Sequence, residues 1–147
     1  MTPLSDAELI QRLLLAAACG GVLGFEREIK QKSAGLRTNM LISLGSAMFT
    51  LMSYELADGL NADPTRIAAQ IVTGIGFLGA GAIIQGGSGV RGLTTGTGIW
   101  VAGAIGLACG AGYYLIAGAV TAFTLMVLII VGGIERRFME HDDKDHG

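Results

Sequence analysis

The sequence predicts an all-α integral membrane protein: a bundle of five transmembrane helices, N-terminus outside and C-terminus cytoplasmic. Three observations predict it. Only 15% of the 147 residues are charged and 51% are apolar, whereas a soluble domain carries roughly 25% charge. Asp, Glu, Lys and Arg are absent from 38–54, 67–90 and 92–134, runs of 17, 24 and 43 residues. About 20 mostly apolar residues cross a ~30 Å hydrocarbon core, so these runs hold at least four crossings. Glycine supplies 24 residues, more than double the usual ~7%.

The first helix is expected over 6–25. Ser5 and Glu8 have capping-box spacing, in which a hydroxyl and a carboxylate satisfy each other's free backbone donors. Arg12 can snorkel toward the outer interface. Leu15 to Cys19 loosely matches a lipoprotein cleavage site, but a secretory signal needs a basic start. Here Asp6 and Glu8 stand at the start and the apolar run continues to Phe25, so an uncleaved helix is expected.

The second helix is expected over 38–55. The third, 64–85, opens at Asp63-Pro64-Thr65, with Asp63 as cap and Pro64 in the first helical position. The 43-residue run would measure about 65 Å as one straight helix, twice the membrane thickness, so it must turn back. Gly110 to Tyr114 is the corner, giving a fourth helix over 93–110 and a fifth over 114–134. Residues 1–134 then form one transmembrane domain, and 135–147 a short polar cytoplasmic tail.

Eight of the ten Lys and Arg residues fall on one side of this topology: Arg27, Lys30, Lys32, Arg37, Arg91, Arg136, Arg137 and Lys144. Arg12 and Arg66 are on the other, beside Asp6, Glu8, Glu55, Asp58 and Asp63. The positive-inside rule puts the larger group in the cytoplasm.

A net charge of −2 and no basic stripe interleaved with aromatics argue against a nucleic-acid partner. Cys19 and Cys109 lie in apolar segments without a second Cys or His at ligand spacing and read as small packing residues. Both histidines, His141 and His146, are in the tail, so His-ligated zinc and Ser-His catalysis are not expected. The protein is read as a non-enzyme with no resident cofactor.

Gly20 and Gly24 continue a four-residue spacing from Ala16, as Gly106 and Gly110 do from Ala102, the small-residue stripe that lets helix backbones approach in lipid. With Gly74, Gly76, Gly79, Gly81 and Trp100 these positions are assigned to helix packing. Gly74 to Gly79 formally matches a dinucleotide fingerprint, but no strand precedes it. The alternative use of the third helix's glycines is a breakable helix of the kind that forms substrate sites in transporters.

Glu26, Arg27, Glu28, Arg37, Thr38, Asn39, Gln85, Arg91, Thr94 and Thr95 fall at the cytoplasmic interface, where two helices start. Free N–H groups, the positive dipole end and arginine together favour an anion there. The leading expectation is an internal network in which Glu26 and Glu28 supply that anion; the rival is a site for an outside anion or lipid headgroup. Mg²⁺ keeps most of its waters and can be held by one or two carboxylates, so Glu26 and Glu28 are the metal candidates, at the cytoplasmic mouth. On the outer side Asp63 and Arg66 mark a helix start. Gln70, deeper along the third helix, is expected to hydrogen-bond another helix or to form a step on a permeation path.

Gly24 to Glu28 followed by Ala34 to Asn39, then Asp63 to Gln70 running into Gly74 to Gly81, then Val90 to Thr95 with Trp100 and Gly106, resemble the MgtC/SapB family. The similarity covers roughly residues 9 to 115. The motif positions that match are Glu26, Arg27, Glu28, Arg37, Thr38, Asn39, Asp63, Arg66, Gln70, Arg91, Thr94, Thr95 and Trp100. Two features depart from the family: Gly96-Thr97-Gly98, expected to loosen the start of the fourth helix, and the short polar tail, which is not expected to form the soluble C-terminal domain of longer members.

The resemblance implies a bacterial inner-membrane protein whose relatives are linked to growth at low magnesium and survival in hosts. Many members are labelled Mg²⁺ transporters, and regulation of other membrane proteins, including ATP synthase, is proposed for some. The expected function is modulation of a membrane partner in low-magnesium or stress adaptation. Transport of Mg²⁺ or another ion is the alternative, and anion or headgroup sensing the third reading. The partners expected are the lipid bilayer and either another membrane protein or a second copy.

Overall fold

The computed structural model describes residues 4–57, 63, 65–86 and 89–134, with side chains of 84–86 excepted. The tail 135–147, Pro64 and the side chain of Gln85 therefore lie outside the described residues. Five helices follow in order: α1 Asp6–Ile29, α2 Leu36–Ala57, α3 Arg66–Gly81, α4 Leu93–Gly110 and α5 from Tyr114. A short antiparallel hairpin, β1 Ile84–Gly86 and β2 Gly89–Arg91, separates α3 from α4. α5 is regular to Met126 and widens into a π segment over Val127–Val131. Four of the helices, with Tyr114–Ile134 counted as one, are long and apolar enough to span a bilayer; α3 is shorter.

The chain is a multi-pass membrane protein. Its outer surface carries side chains that water would not tolerate in such density: Phe77 is 80% and Leu115 86% exposed, and Leu14, Phe25, Leu41, Phe49 and Phe123 are all more than half exposed. An apolar surface on that scale is what a hydrocarbon solvent requires.

Several boundaries differ from the sequence expectation, each for a local reason. α1 continues past Phe25 to Ile29 and ends where Gln31 adopts φ 52°, the left-handed conformation that closes many helices. α2 begins at Leu36, two residues before Thr38. α3 stops at Gly81 rather than 85, and Ile84–Gly86 pairs with Gly89–Arg91 in the hairpin. The turn into α4 instead uses Gly92 at φ 87°, where a Cβ would overlap the Ala82 carbonyl. At the start of α3, Asp63 is not the cap. Its Oδ1 accepts from the Thr65 backbone N–H at 2.8 Å and the Thr65 hydroxyl at 2.7 Å, a turn one step ahead of the helix. Half of the capping box forms: the Ser5 hydroxyl accepts from the Glu8 N–H, but the Glu8 carboxylate turns to Arg12.

The helices alternate in direction. Gly20 abuts Asn39 and Ser43, Ser53 meets Ala68, Gly79 faces Gly96, and Gly103 receives Ile75. α4 sits in the middle and touches all four other helices. Its glycines are divided by face: Gly96 and Gly103 admit α3, while Gly106 and Gly110 admit the backbone of α2 at Ser43 and Ala47. Gly96 thus tightens the start of α4 where the sequence suggested loosening. Gly20, Gly24 and Gly79 also sit against neighbouring backbone, but Gly74, Gly76 and Gly81 face open space, while Trp100 is half exposed and lines a cavity with Ile71 and Ile75 of α3.

Candidate functional site

The charged end of the bundle is built where α1 finishes and α2 and α4 begin. Arg27, on the last turn of α1, is only 6% exposed and donates from Nη2 to the Thr95 hydroxyl of α4 at 2.8 Å. A buried guanidinium without an acceptor would be costly, and Thr95, itself buried, supplies one. A small cavity of about 10 Å³ beside them is lined in part by Asn39 and Thr124.

Glu26 is also buried, and Lys30 Nζ approaches its Oε1 to 2.6 Å. The contact is an ion pair rather than a directed hydrogen bond, and neither carboxylate oxygen has a hydrogen-bond donor among the described residues. Lys30 Nζ also donates to the Leu128 carbonyl at 3.0 Å. That carbonyl lies in the π segment, where the wider turn disturbs the regular backbone pairing. Glu26, Lys30 and Leu128 thereby join α1 to α5.

Glu28 does something different. Its Oε2 accepts from the Leu36 N–H at 2.9 Å, placing a carboxylate on the positive end of α2. Gly35 allows this approach, since a Cβ there would overlap the carboxylate. Asn39 Nδ2 donates to the Ala34 and Gly35 carbonyls at 3.0 and 2.9 Å and folds the connecting loop onto α2. The anion suited to α2 is therefore part of the chain. The first turn of α4 has no side-chain cap.

Arg37, Thr38, Arg91 and Thr94 are exposed. Among the described residues neither arginine makes an ion pair, so the expected glutamate–arginine network does not form as such. Arg37 and Thr38 instead line an open polar cleft of about 530 Å³ with Glu28, Lys32 and Ser33. Glu26 and Glu28 are engaged on separate partners, and the described residues hold no cluster of three His, Cys, Asp or Glu side chains.

At the opposite end Arg12 donates to Glu8 Oε1 at 2.6 Å and to the Gly110 carbonyl at 2.8 Å, so its partners are intramolecular where snorkelling was expected. Asp63 is exposed; the Thr65 hydroxyl, with the Thr65 N–H next, holds its carboxyl below the usual range. Arg66 is exposed. Gln70 is exposed as well and makes no helix-to-helix hydrogen bond among the described residues. It lines an apolar groove of about 530 Å³ between α2 and α3.

Comparison with known proteins settles the family. The model of the MgtC family matches residues 13–137. The chain belongs to the MgtC family. It is 46% identical over 139 residues to YhiD of Escherichia coli K12, provisionally named a magnesium transporter, covering 90% of this chain and 65% of that protein. Protein MgtC of Brucella abortus is 49% identical over 108 residues, covering 74% of this chain and 44% of the relative. Protein MgtC of Salmonella typhimurium is 45% identical over 122 residues, covering 83% and 52%. The chain thus spans between about half and two thirds of the relatives' length. No solved structure matches it. As an MgtC-family member with four helices able to cross a bilayer, it is a multi-pass inner-membrane protein.

Sequence reasoning missed three groups in this MgtC-family chain. Lys30 was counted only as a loop charge. Asn39, Ser43, Ser46, Thr50 and Ser53, spaced alternately by four and three, form a buried polar stripe along α2. The spacing of these residues, which puts them on one helical face, is legible in the sequence. Cys19 and Cys109 are neighbours in the core cluster around Ala16, Ile105 and Ala117; no spacing rule links residues so far apart.

Proposed function

We propose that this chain modulates a membrane partner, with the charged end of the bundle, on the cytoplasmic side, as its working surface. The observation that carries this reading is the commitment of the buried charges to internal partners. Glu26 holds Lys30, Arg27 holds Thr95 and Glu28 holds the start of α2. Arg37, Thr38, Arg91 and Thr94 remain exposed, a basic and hydroxyl-bearing surface next to the bilayer. Where α1, α2 and α4 meet, Gly20, Gly106 and Gly110 bring helix against helix, which favours a closed bundle over a hydrated passage. Magnesium enters through the name of the E. coli relative, as the ion to test.

The second reading is ion transport. Its support is the α2 stripe, in which the Ser43 and Ser46 hydroxyls are buried without a hydrogen-bond partner among the described residues. Oxygen groups along a helix could replace water around a hard cation. Purified protein in sealed vesicles loaded with a Mg²⁺ indicator separates the two readings. The modulator reading expects no Mg²⁺ flux, and a co-purifying membrane protein lost in the Arg37→Glu, Arg91→Glu double variant. Mg²⁺ flux in the natural chain that Glu26→Gln or Ser43→Val abolishes would overturn it.

A further inference from the structure

α1 and α4 run antiparallel and are pinned at both ends, by Arg12 on the Gly110 carbonyl and by Arg27 on Thr95. Between these ties lie the chain's two cysteines. Cys109 is fully buried, and Cys19 packs against the same core cluster. The pair is separated by 90 positions in sequence, yet the fold gathers both thiols into one core cluster where α1 packs on α4. Small residues make it possible: Ala16 is fully buried one turn before Cys19, and Gly106 and Gly110 flank Cys109.

From this geometry we propose that Cys19 and Cys109 form an oxidation site, closing to an intramolecular disulfide that welds α1 to α4 when a lipid-soluble two-electron acceptor reaches them. The reaction balances with an azo compound or a quinone as oxidant. With an azo compound, one thiol adds across the N=N bond, forming S–N while its proton moves to the other nitrogen. The second sulfur then attacks the first, S–S forms, S–N breaks, and the second proton leaves with the nitrogen as a hydrazine. A quinone accepts the same two electrons and two protons and becomes a quinol. Because α1 and α4 already pack together around this cluster, the cross-link joins two helices that are in contact. The cross-link ties together two segments that the chain joins only through α2, α3 and the hairpin.

The test uses the natural chain reconstituted in lipid nanodiscs and treated with the azo oxidant diamide. After unfolding in detergent, thiols are counted with a maleimide–polyethylene glycol tag. The expected result is loss of both taggable thiols, their recovery on reduction, and a Cys19 peptide linked to a Cys109 peptide within one chain. Cys19→Ser and Cys109→Ser should each retain one taggable thiol after the same treatment. The oxidised chain should also melt at a higher temperature, reversed by a reductant. Two thiols still taggable after diamide, links found only between separate chains, or an unchanged melting temperature in the fully linked protein would each overturn the proposal.

Discussion

The two ends of the bundle solve the same problem with the same residue type and reach different answers. At each end an arginine of α1 grips α4: Arg27 on the Thr95 hydroxyl and Arg12 on the Gly110 carbonyl. Arg12 also has Glu8 one turn away, and it sits at a helix C-terminus where a positive charge is favoured. Arg27 is buried against a neutral hydroxyl, with Glu26 taken by Lys30. The difference shows that polarity in a membrane bundle is judged by the partner it finds: a charge with its own carboxylate closes a helix end, while a charge held by a single hydroxyl makes that hydroxyl indispensable.

The sharpest way to break this contrast is Thr95→Val, which keeps shape and removes the acceptor from a buried guanidinium. The expected loss is about 2–3 kcal/mol of stability, measured as detergent-induced unfolding in micelles. A loss no greater than that of Arg12→Ala would erase the distinction between the ends. Arg12→Ala itself is expected to cost about 1–2 kcal/mol, since Glu8 stays half solvated and the Gly110 carbonyl keeps access to the interface. The smallest effect concerns Asp63. Its carboxyl is lowered in the folded state by the Thr65 hydroxyl and N–H, so its contribution is complete above the ordinary carboxylate range. That contribution fades as pH falls through the folded-state value. Unfolding followed across acidic pH should show a slight dependence that Asp63→Asn abolishes; an unchanged acid profile would mean the turn is held by other contacts.

Much of the architecture was legible in the chain, and for a simple reason. A charge-free run in a membrane has few ways to satisfy its backbone other than helix, so the number and order of helices followed from counting. The misreadings were local and steric. The apolar run predicts α3 to 85, yet the helix ends at Gly81 and Ile84 already belongs to the hairpin. Gly74, Gly76 and Gly81 were grouped with Gly79 by spacing, although only Gly79 among them faces another helix. Glu28 and Arg37 share the sequence pattern of a carboxylate–arginine network, whereas the backbone N–H of Leu36 holds the Glu28 carboxylate.

By itself the sequence determined that this protein lives in a bilayer, that five apolar helices follow one another along the chain, and that one family's motifs occur on them in order. Those properties depend on composition and local periodicity. The tertiary structure alone decided that Arg27 rests on Thr95, that Glu28 caps α2, that Lys30 reaches the π segment of α5, and that Cys19 packs against the core cluster of Cys109. Such pairings depend on each helix's rotation about its axis and its register along its neighbour. Those are fixed only when all the helix surfaces pack together, because no single segment carries the shape of the surface it will meet.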